Sequence, residues 1–182
     1  MNFNLFYTTY RYREFNAVEE INLLLERFGD ESPILEIQEV SGVILAFTKL
    51  NPFELTAKYR ELLTEEPWQF RYILRAIPIE KSFYTDLKNI EIEVVNLVKK
   101  KITANDSFRI TVEKRYTSLR SKEIISSIAA KLSRHKVSLE NPRWIILVEI
   151  IGNKTGISVL TKRDIFSSVM EKRNSNMKFN SC

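Results

Sequence analysis

Two kinds of apolar spacing alternate along this chain, and their order predicts its architecture. "FNLFYTTYR" is rich in aromatic and β-branched residues and reads as a strand. In "EFNAVEEINLLLERFG", Phe15, Val18, Ile21, Leu24, Leu25 and Phe28 recur at helical spacing, and Gly29 marks the C-terminal stop. "ILEIQEVSGVILAFTKL" reads as two strands around a turn at Ser41-Gly42, where glycine accepts the positive φ of a tight hairpin. "NPFELTAKYRELLTEE" opens a second helix, with Asn51 as N-cap and Pro52 in the first helical position. "QFRYILRAIPI" supplies a fourth strand. The order βαββαβ predicts a ferredoxin-like domain over residues 1–77, with two helices on one face of an antiparallel sheet.

A second domain is expected over residues 78–173. "DLKNIEIEVVNLVKKKI" is helical, with Leu87, Ile90, Val94, Leu97 and Val98 on one face. In "FRITVEKR", Phe108, Ile110 and Val112 alternate with Arg109, Thr111 and Glu113, the period of a half-buried strand. "SKEIISSIAAKLSRH" follows as a helix whose buried stripe is Ile124, Ile125, Ile128, Ala129 and Leu132. "WIILVEII" is nearly all apolar, which predicts a strand covered on both faces. "GNKTG" is a turn, "ISVL" another strand, and "KRDIFSSVMEKR" a short terminal helix. Residues 174–182, "NSNMKFNSC", read as a polar tail. The glycines at 29, 42, 152 and 156 are placed at turns or helix ends, and none forms a phosphate-cradling loop. The whole is an α+β chain.

Composition narrows the class. A chain of 182 residues can bury a large core or two small ones. No apolar run reaches the length of a membrane span, and the N-terminus lacks a signal-peptide core. With Cys182 as the lone cysteine no internal disulfide is possible, so a cytoplasmic protein is expected. Charge is split along the chain. Residues 1–70 hold 6 Lys+Arg against 12 Asp+Glu, a balance of −6; residues 71–182 hold 22 against 11, a balance of +11. A basic part of this kind faces a polyanion, of which nucleic acid is the commonest and an anionic membrane the second. A solvated basic face without a partner is the third reading.

Catalytic material is scarce. The one histidine, His135, falls at the end of a predicted helix, where a cation satisfies terminal carbonyls. One His and one terminal Cys leave little from which to build a zinc site or a Cys–His nucleophile. Glu19-Glu20 and Glu65-Glu66 are adjacent on helices and do not face each other, so they read as solvated surface. No catalytic residue, metal or cofactor is expected. Among the tyrosines, Tyr7, Tyr10, Tyr12, Tyr59 and Tyr72 read as core or rim packing, as do Trp68 and Trp144, whereas Tyr84 and Tyr116 border basic stretches. The cations carry the remaining chemistry. Lys114, Arg115, Arg120 and Lys122 run from a strand end into a helix start, which joins side-chain donors to unpaired backbone N–H groups. Arg offers phosphate a bidentate fork and Lys a mobile point charge. Arg75, Lys81, Arg109, Arg143 and Lys154 complete the set of cations expected to meet a phosphate backbone.

The segments "RAIPIEKSFYTDLKNI", "FRITVEKRYTSLRSKEIISSIAAKL" and "VSLENPRWIILVEIIGNKTGISVL" together resemble a THUMP domain over about residues 71–163. The resemblance implies an RNA-binding module of tRNA-modifying proteins, one that an N-terminal ferredoxin-like domain usually precedes. Most such proteins continue into a catalytic domain, whereas this chain ends about 20 residues after the last expected strand. In that respect, and in the "PI" of "RAIPIEK" and the ending "VEIIG…GISVL", it resembles the adaptor family that assists an RNA cytidine acetyltransferase. The resemblance implies a protein with no enzymatic activity of its own that binds the acceptor end of tRNA. Its partner would be a separate acetyltransferase making N4-acetylcytidine. Two alternatives stand beside it: an RNA-binding subunit of a thiouridine synthetase or methyltransferase, and a protein-interaction module.

Overall fold

In the computed structural model, which describes residues 2–133 and 135–179 (backbone alone over 174–179), the expected alternation resolves into two units. One comprises residues 3–78 with the segment from Asp164 onward, and the other residues 79–163.

The first unit opens with β1 (Leu5–Thr8), α1 (Glu14–Arg27), β2 (Ile34–Ile37), β3 (Val43–Phe47), α2 (Pro52–Glu65) and β4 (Arg75–Pro78). Its strands pair antiparallel in the order β4-β1-β3-β2, the arrangement of a ferredoxin-like βαββαβ domain. Local chemistry explains the boundaries. Asn51 caps α2 by accepting from the Phe53 amide at 3.0 Å, with Pro52 following it as expected. Gly29 holds φ at 101°, and the Gly29 and Asp30 amides return to the Glu26 and Leu25 carbonyls, a Schellman ending for α1. Gly42 (φ 80°) is required at its turn, because a Cβ there would lie 2.8 Å from the Thr9 carbonyl oxygen.

Beneath the sheet, Tyr59 of α2 shares a 2.8 Å hydrogen bond with Tyr7 of β1 and presents edges to Phe70 and Phe166. Burial drives both phenols above their ordinary pKa, so the pair stays protonated.

The second unit contains β5 (Lys81–Tyr84), α3 (Leu87–Lys101), β6 (Ser107–Arg115), α4 (Ser121–Lys131), β7 (Lys136–Val137), β8 (Trp144–Ile151) and β9 (Lys154–Leu160). The sheet order is β5-β9-β8-β6-β7, with β6 parallel to both β7 and β8 and the remaining pairs antiparallel. Phe108, Ile146, Val148, Ile150, Ile157 and Val159 form one face, against which α3 packs Ile90, Val94, Leu97 and Val98, and α4 packs Ile124 and Ile128. β8 is the central strand and is buried on both sides, which accounts for its nearly unbroken apolar sequence.

The chain then adds β10 (Phe166–Ser167) to β4 and ends in α5 (Ser168–Phe179). The second domain therefore does not extend to residue 173. The Phe166 ring lies tilted against that of Phe70, centroids 4.9 Å apart, Ser168 donates to the Ile73 carbonyl at 2.6 Å, and Arg60 bonds Glu171 at 2.6 Å. These long-range contacts tie the segment to the first unit. Helix α5 also covers residues 174–179 of the expected tail, and residues 180–182, Cys182 included, lie outside the described residues.

Other expectations are corrected locally. Phe15, Ile125 and Trp68 are exposed, and Gly156 lies inside β9 opposite Glu149. Among the described residues no helix is long and apolar enough to cross a membrane.

One carboxylate locks the first unit. Asp30 accepts from the Thr48 hydroxyl, from the Lys49 amide at 3.1 Å and from the Ser32 amide at 3.3 Å. Burial raises its pKa, but these hydrogen bonds outweigh burial and the net direction is downward. A lowered folded-state pKa contributes stability that is present above the unfolded value, near 4, and is lost as pH falls through the folded value. Asp30→Ala is expected to cost about 1–3 kcal/mol at pH 7. Thermal unfolding of both proteins should show the gap shrinking below pH 4, whereas a constant gap would place the effect in packing.

Candidate RNA interface

The parallel pairing of β6 with β8 decides which residues meet. Both strands finish at the same end of the sheet, in the register Lys114↔Ile150 and Arg115↔Ile151. The turn at Gly152 and Asn153 begins β9 at that end, and β5, antiparallel to β9, finishes there with Tyr84 opposite Lys154. Two backbone bonds hold this rim, Gly152 N–H to the Arg115 carbonyl and Thr85 N–H to the Asn153 carbonyl, each 2.8 Å. Tyr116 leaves β6 in the left-handed region (φ 54°) and is exposed, as is Tyr84.

Helices α3 and α4 both start at this rim, and their starts differ. Asp86 closes α3, accepting from the Asn89 amide at 2.9 Å. Arg120 occupies the N-cap of α4 and makes no side-chain cap bond, and exposed Lys122 follows in the first turn. A helix start carries partial positive charge. Here Arg120 and Lys122 reinforce it, and Glu123 in the same turn offsets only part of their charge, an arrangement suited to phosphate oxygens.

The structure thus brings five of the nine expected residues to one rim: Lys114, Arg115, Arg120, Lys122 and Lys154. Arg115 has a further role there. Its Nη1 lies 3.0 Å from Oε2 of Glu149, a carboxylate with 0 % exposure in the centre of the sheet. Removing a carboxylate from water costs several kcal/mol unless a partner compensates, so Arg115 is first a counter-charge. The signal was visible as the single acid in "WIILVEII", which requires a cation on a neighbouring strand.

The other four do not join this rim. Lys81 begins β5 and Arg143 precedes β8, at the opposite end of the same sheet. Arg143 bonds Asp106 at 2.7 Å, and the Asp106 carboxyl is held below its usual range chiefly by the Thr103 amide and hydroxyl. Arg109 pairs with Ile145 on the face away from α3 and α4. Arg75 begins β4 in the first unit. His135 follows α4, with its ring edge-on to Phe108 at 6.3 Å. Among the described residues no group of three His, Cys, Asp or Glu side chains is placed to hold a metal.

Divided by unit, the charge split keeps its sign but is smaller than at a cut after residue 70. The second unit, residues 79–163, holds 17 Lys+Arg against 9 Asp+Glu, +8; the rest of the chain holds 11 against 14, −3. The rim therefore combines lysine point charges, an arginine fork and two exposed tyrosines on the basic unit. That is equipment for an RNA backbone and an unpaired base.

Residues 84–160 match the family model of the THUMP domain, so the second unit is a THUMP domain. This domain class implies RNA binding in tRNA modification. Among solved structures, the chain is similar to PH1313 from Pyrococcus horikoshii Ot3 (TM-score 0.67, 17% identity, covering 92% of this chain and 55% of that one). It is also similar to TrmN from Thermus thermophilus (TM-score 0.60, 19% identity, 87% and 46% covered). A third is a 4-thiouridine synthetase solved with RNA and bound ATP (TM-score 0.55, 17% identity, 91% and 42% covered). At identities this low the TM-scores show a shared fold alone, and the chain spans about half the length of the proteins it resembles. No curated protein matches it in sequence.

The Arg115–Glu149 pair separates stability from binding. Arg115→Ala is expected to lower stability by about 2–3 kcal/mol, because it withdraws a charged donor from a buried carboxylate. Arg120→Ala and Lys122→Ala, both at exposed positions, should stay within about 0.5 kcal/mol of the wild type. Urea unfolding of the three variants checks this, and an unchanged midpoint for Arg115→Ala would contradict it.

Proposed function

We propose that this chain is an adaptor: it binds tRNA at the acceptor end and presents it to a separate RNA cytidine acetyltransferase, which forms N4-acetylcytidine. The cationic rim of the THUMP unit, gathered around an α4 start without a side-chain cap, is the observation that carries RNA binding. The acetyltransferase rests on the family resemblance of "RAIPIEK" and "VEIIG…GISVL". Side chains cannot read the deep, narrow major groove of A-form RNA, so recognition goes through backbone, shape and the single-stranded end. In this reading the chain transfers no acetyl group itself. It accelerates the partner by holding the target cytidine in a productive geometry. A second reading, the RNA-binding subunit of a thiouridine synthetase or methyltransferase, draws support from the fold shared with the 4-thiouridine synthetase solved with RNA.

Three measurements test the proposal. Arg120→Ala with Lys122→Ala should weaken tRNA binding and flatten the log–log salt dependence by roughly one unit per lost contact on a duplex. Trimming the unpaired 3′ nucleotides should cost more affinity than exchanging an internal acceptor-stem pair. With purified tRNA, acetyl donor and ATP, N4-acetylcytidine should form mainly when both this protein and the acetyltransferase are present. Product formed by this chain alone would overturn the adaptor reading, and stimulation of a thiolation or methylation reaction instead would favour the second.

A further inference from the structure

The first unit is acidic as a whole, yet its β1–α1 connection is built from alternating aromatics and arginines: Tyr10, Arg11, Tyr12, Arg13 and, one residue into α1, Phe15. The sequence pattern places these rings in packing. The structure places them in water: Tyr10 is 51% exposed, Tyr12 89% and Phe15 80%. Arg11 and Arg13 are exposed as well. Three large rings so open within six residues are unusual on a soluble domain.

The segment is held in shape. The Arg13 amide closes a turn on the Tyr10 carbonyl at 3.1 Å, and the Thr9 amide bonds the Gly42 carbonyl at 2.9 Å. Glu14, directly after the turn, accepts from the Gly42 amide at 2.6 Å and the Ser41 hydroxyl at 2.9 Å. Tyr12 sits at φ 63°, a region non-glycine residues seldom occupy, so the turn carries local strain. Arg75, the residue paired with Thr8 at the end of β1, brings a third cation to this end of the sheet. The nearby acids are Glu14, engaged as described, and exposed Glu39 on the β2–β3 turn.

We propose that the turn from Tyr10 to Arg13, with Phe15, is a stacking platform for unpaired nucleotides of the bound RNA. Rings accept a base on either face whatever its identity, and an arginine plane both stacks and neutralises the adjoining phosphate. The cations favour RNA over a protein partner, because a strand that stacks its bases on these rings carries a phosphate beside each base for Arg11, Arg13 and Arg75 to neutralise. The proposal rests on the RNA-binding reading above but involves a different unit and a different type of contact.

The test compares the full chain with a Tyr12→Asn, Phe15→Ala variant; asparagine tolerates the left-handed backbone, and unfolding curves confirm that both proteins are folded. Each is titrated with a short single-stranded RNA, a blunt RNA duplex of equal length, tRNA, and tRNA lacking its unpaired 3′ nucleotides. The variant should bind single-stranded RNA and intact tRNA about tenfold more weakly. Duplex affinity and the salt slope should not change, since stacking releases no counterion. A penalty that vanishes on trimmed tRNA assigns the platform to the 3′ end, and one that persists assigns it to a loop. Wild-type affinity of the variant for single-stranded RNA, or an equal loss on the blunt duplex, would overturn the platform while leaving RNA binding by the THUMP unit intact. Loss of a protein partner with all RNA affinities unchanged would overturn it in favour of protein docking. Failure of the wild-type chain to bind any RNA would overturn both readings.

Discussion

A parallel strand pair cannot be closed by a tight turn, and the candidate interface follows from that constraint. β6 and β8 run parallel through eight paired positions, from Phe108↔Trp144 to Arg115↔Ile151, so the chain must cross back before β8 can begin. Helix α4 lies in that crossover and starts where β6 ends. Whatever follows β6 is therefore delivered to the same rim as the helix start. Lys114, Arg120 and Lys122 gather there because of topology, and the β8–β9 turn adds Lys154. The Arg115–Glu149 pair ties the last turn of this geometry together from inside the sheet.

Where burial is one-sided and periodic, the fold was legible. The stripes on α1, α3 and α4, the central position of β8, the Asn51 cap and the Gly29 stop all follow from spacing or backbone preference. What escaped is held by long-range pairing. β5, β7 and β10 span two to four residues each, too few to show a period, and exist because a neighbouring strand completes them. Phe166 belongs to the first unit because Tyr59 and Phe70, about a hundred positions earlier, supply its ring contacts. Phe15 matched the helical period of α1 but falls in its first turn, ahead of the segment where Ala17 and Ile21 reach the core.

The site was partly legible for the same reasons. Clustering of Lys114, Arg120 and Lys122 is local and could be read directly. That Lys81 and Arg143 point to the other end depends on strand order, which charge spacing does not reveal. The Arg115 role depends on a buried acid 34 positions away. Net charge misleads at this scale too: a unit of −3 carries an arginine–tyrosine turn, and a unit of +8 buries two of its acids, Asp106 and Glu149.

Chemical-shift mapping of the 15N-labelled chain against tRNA tests the central claim most directly, since it reports where RNA lies without altering a residue. The account predicts the largest amide shifts at Lys114, from Tyr116 to Lys122, and at Lys154, the rim formed by the β6 end and the α4 start. Shifts concentrated at Lys81, Lys99, Lys100 and Arg143, with this rim unmoved, would contradict it.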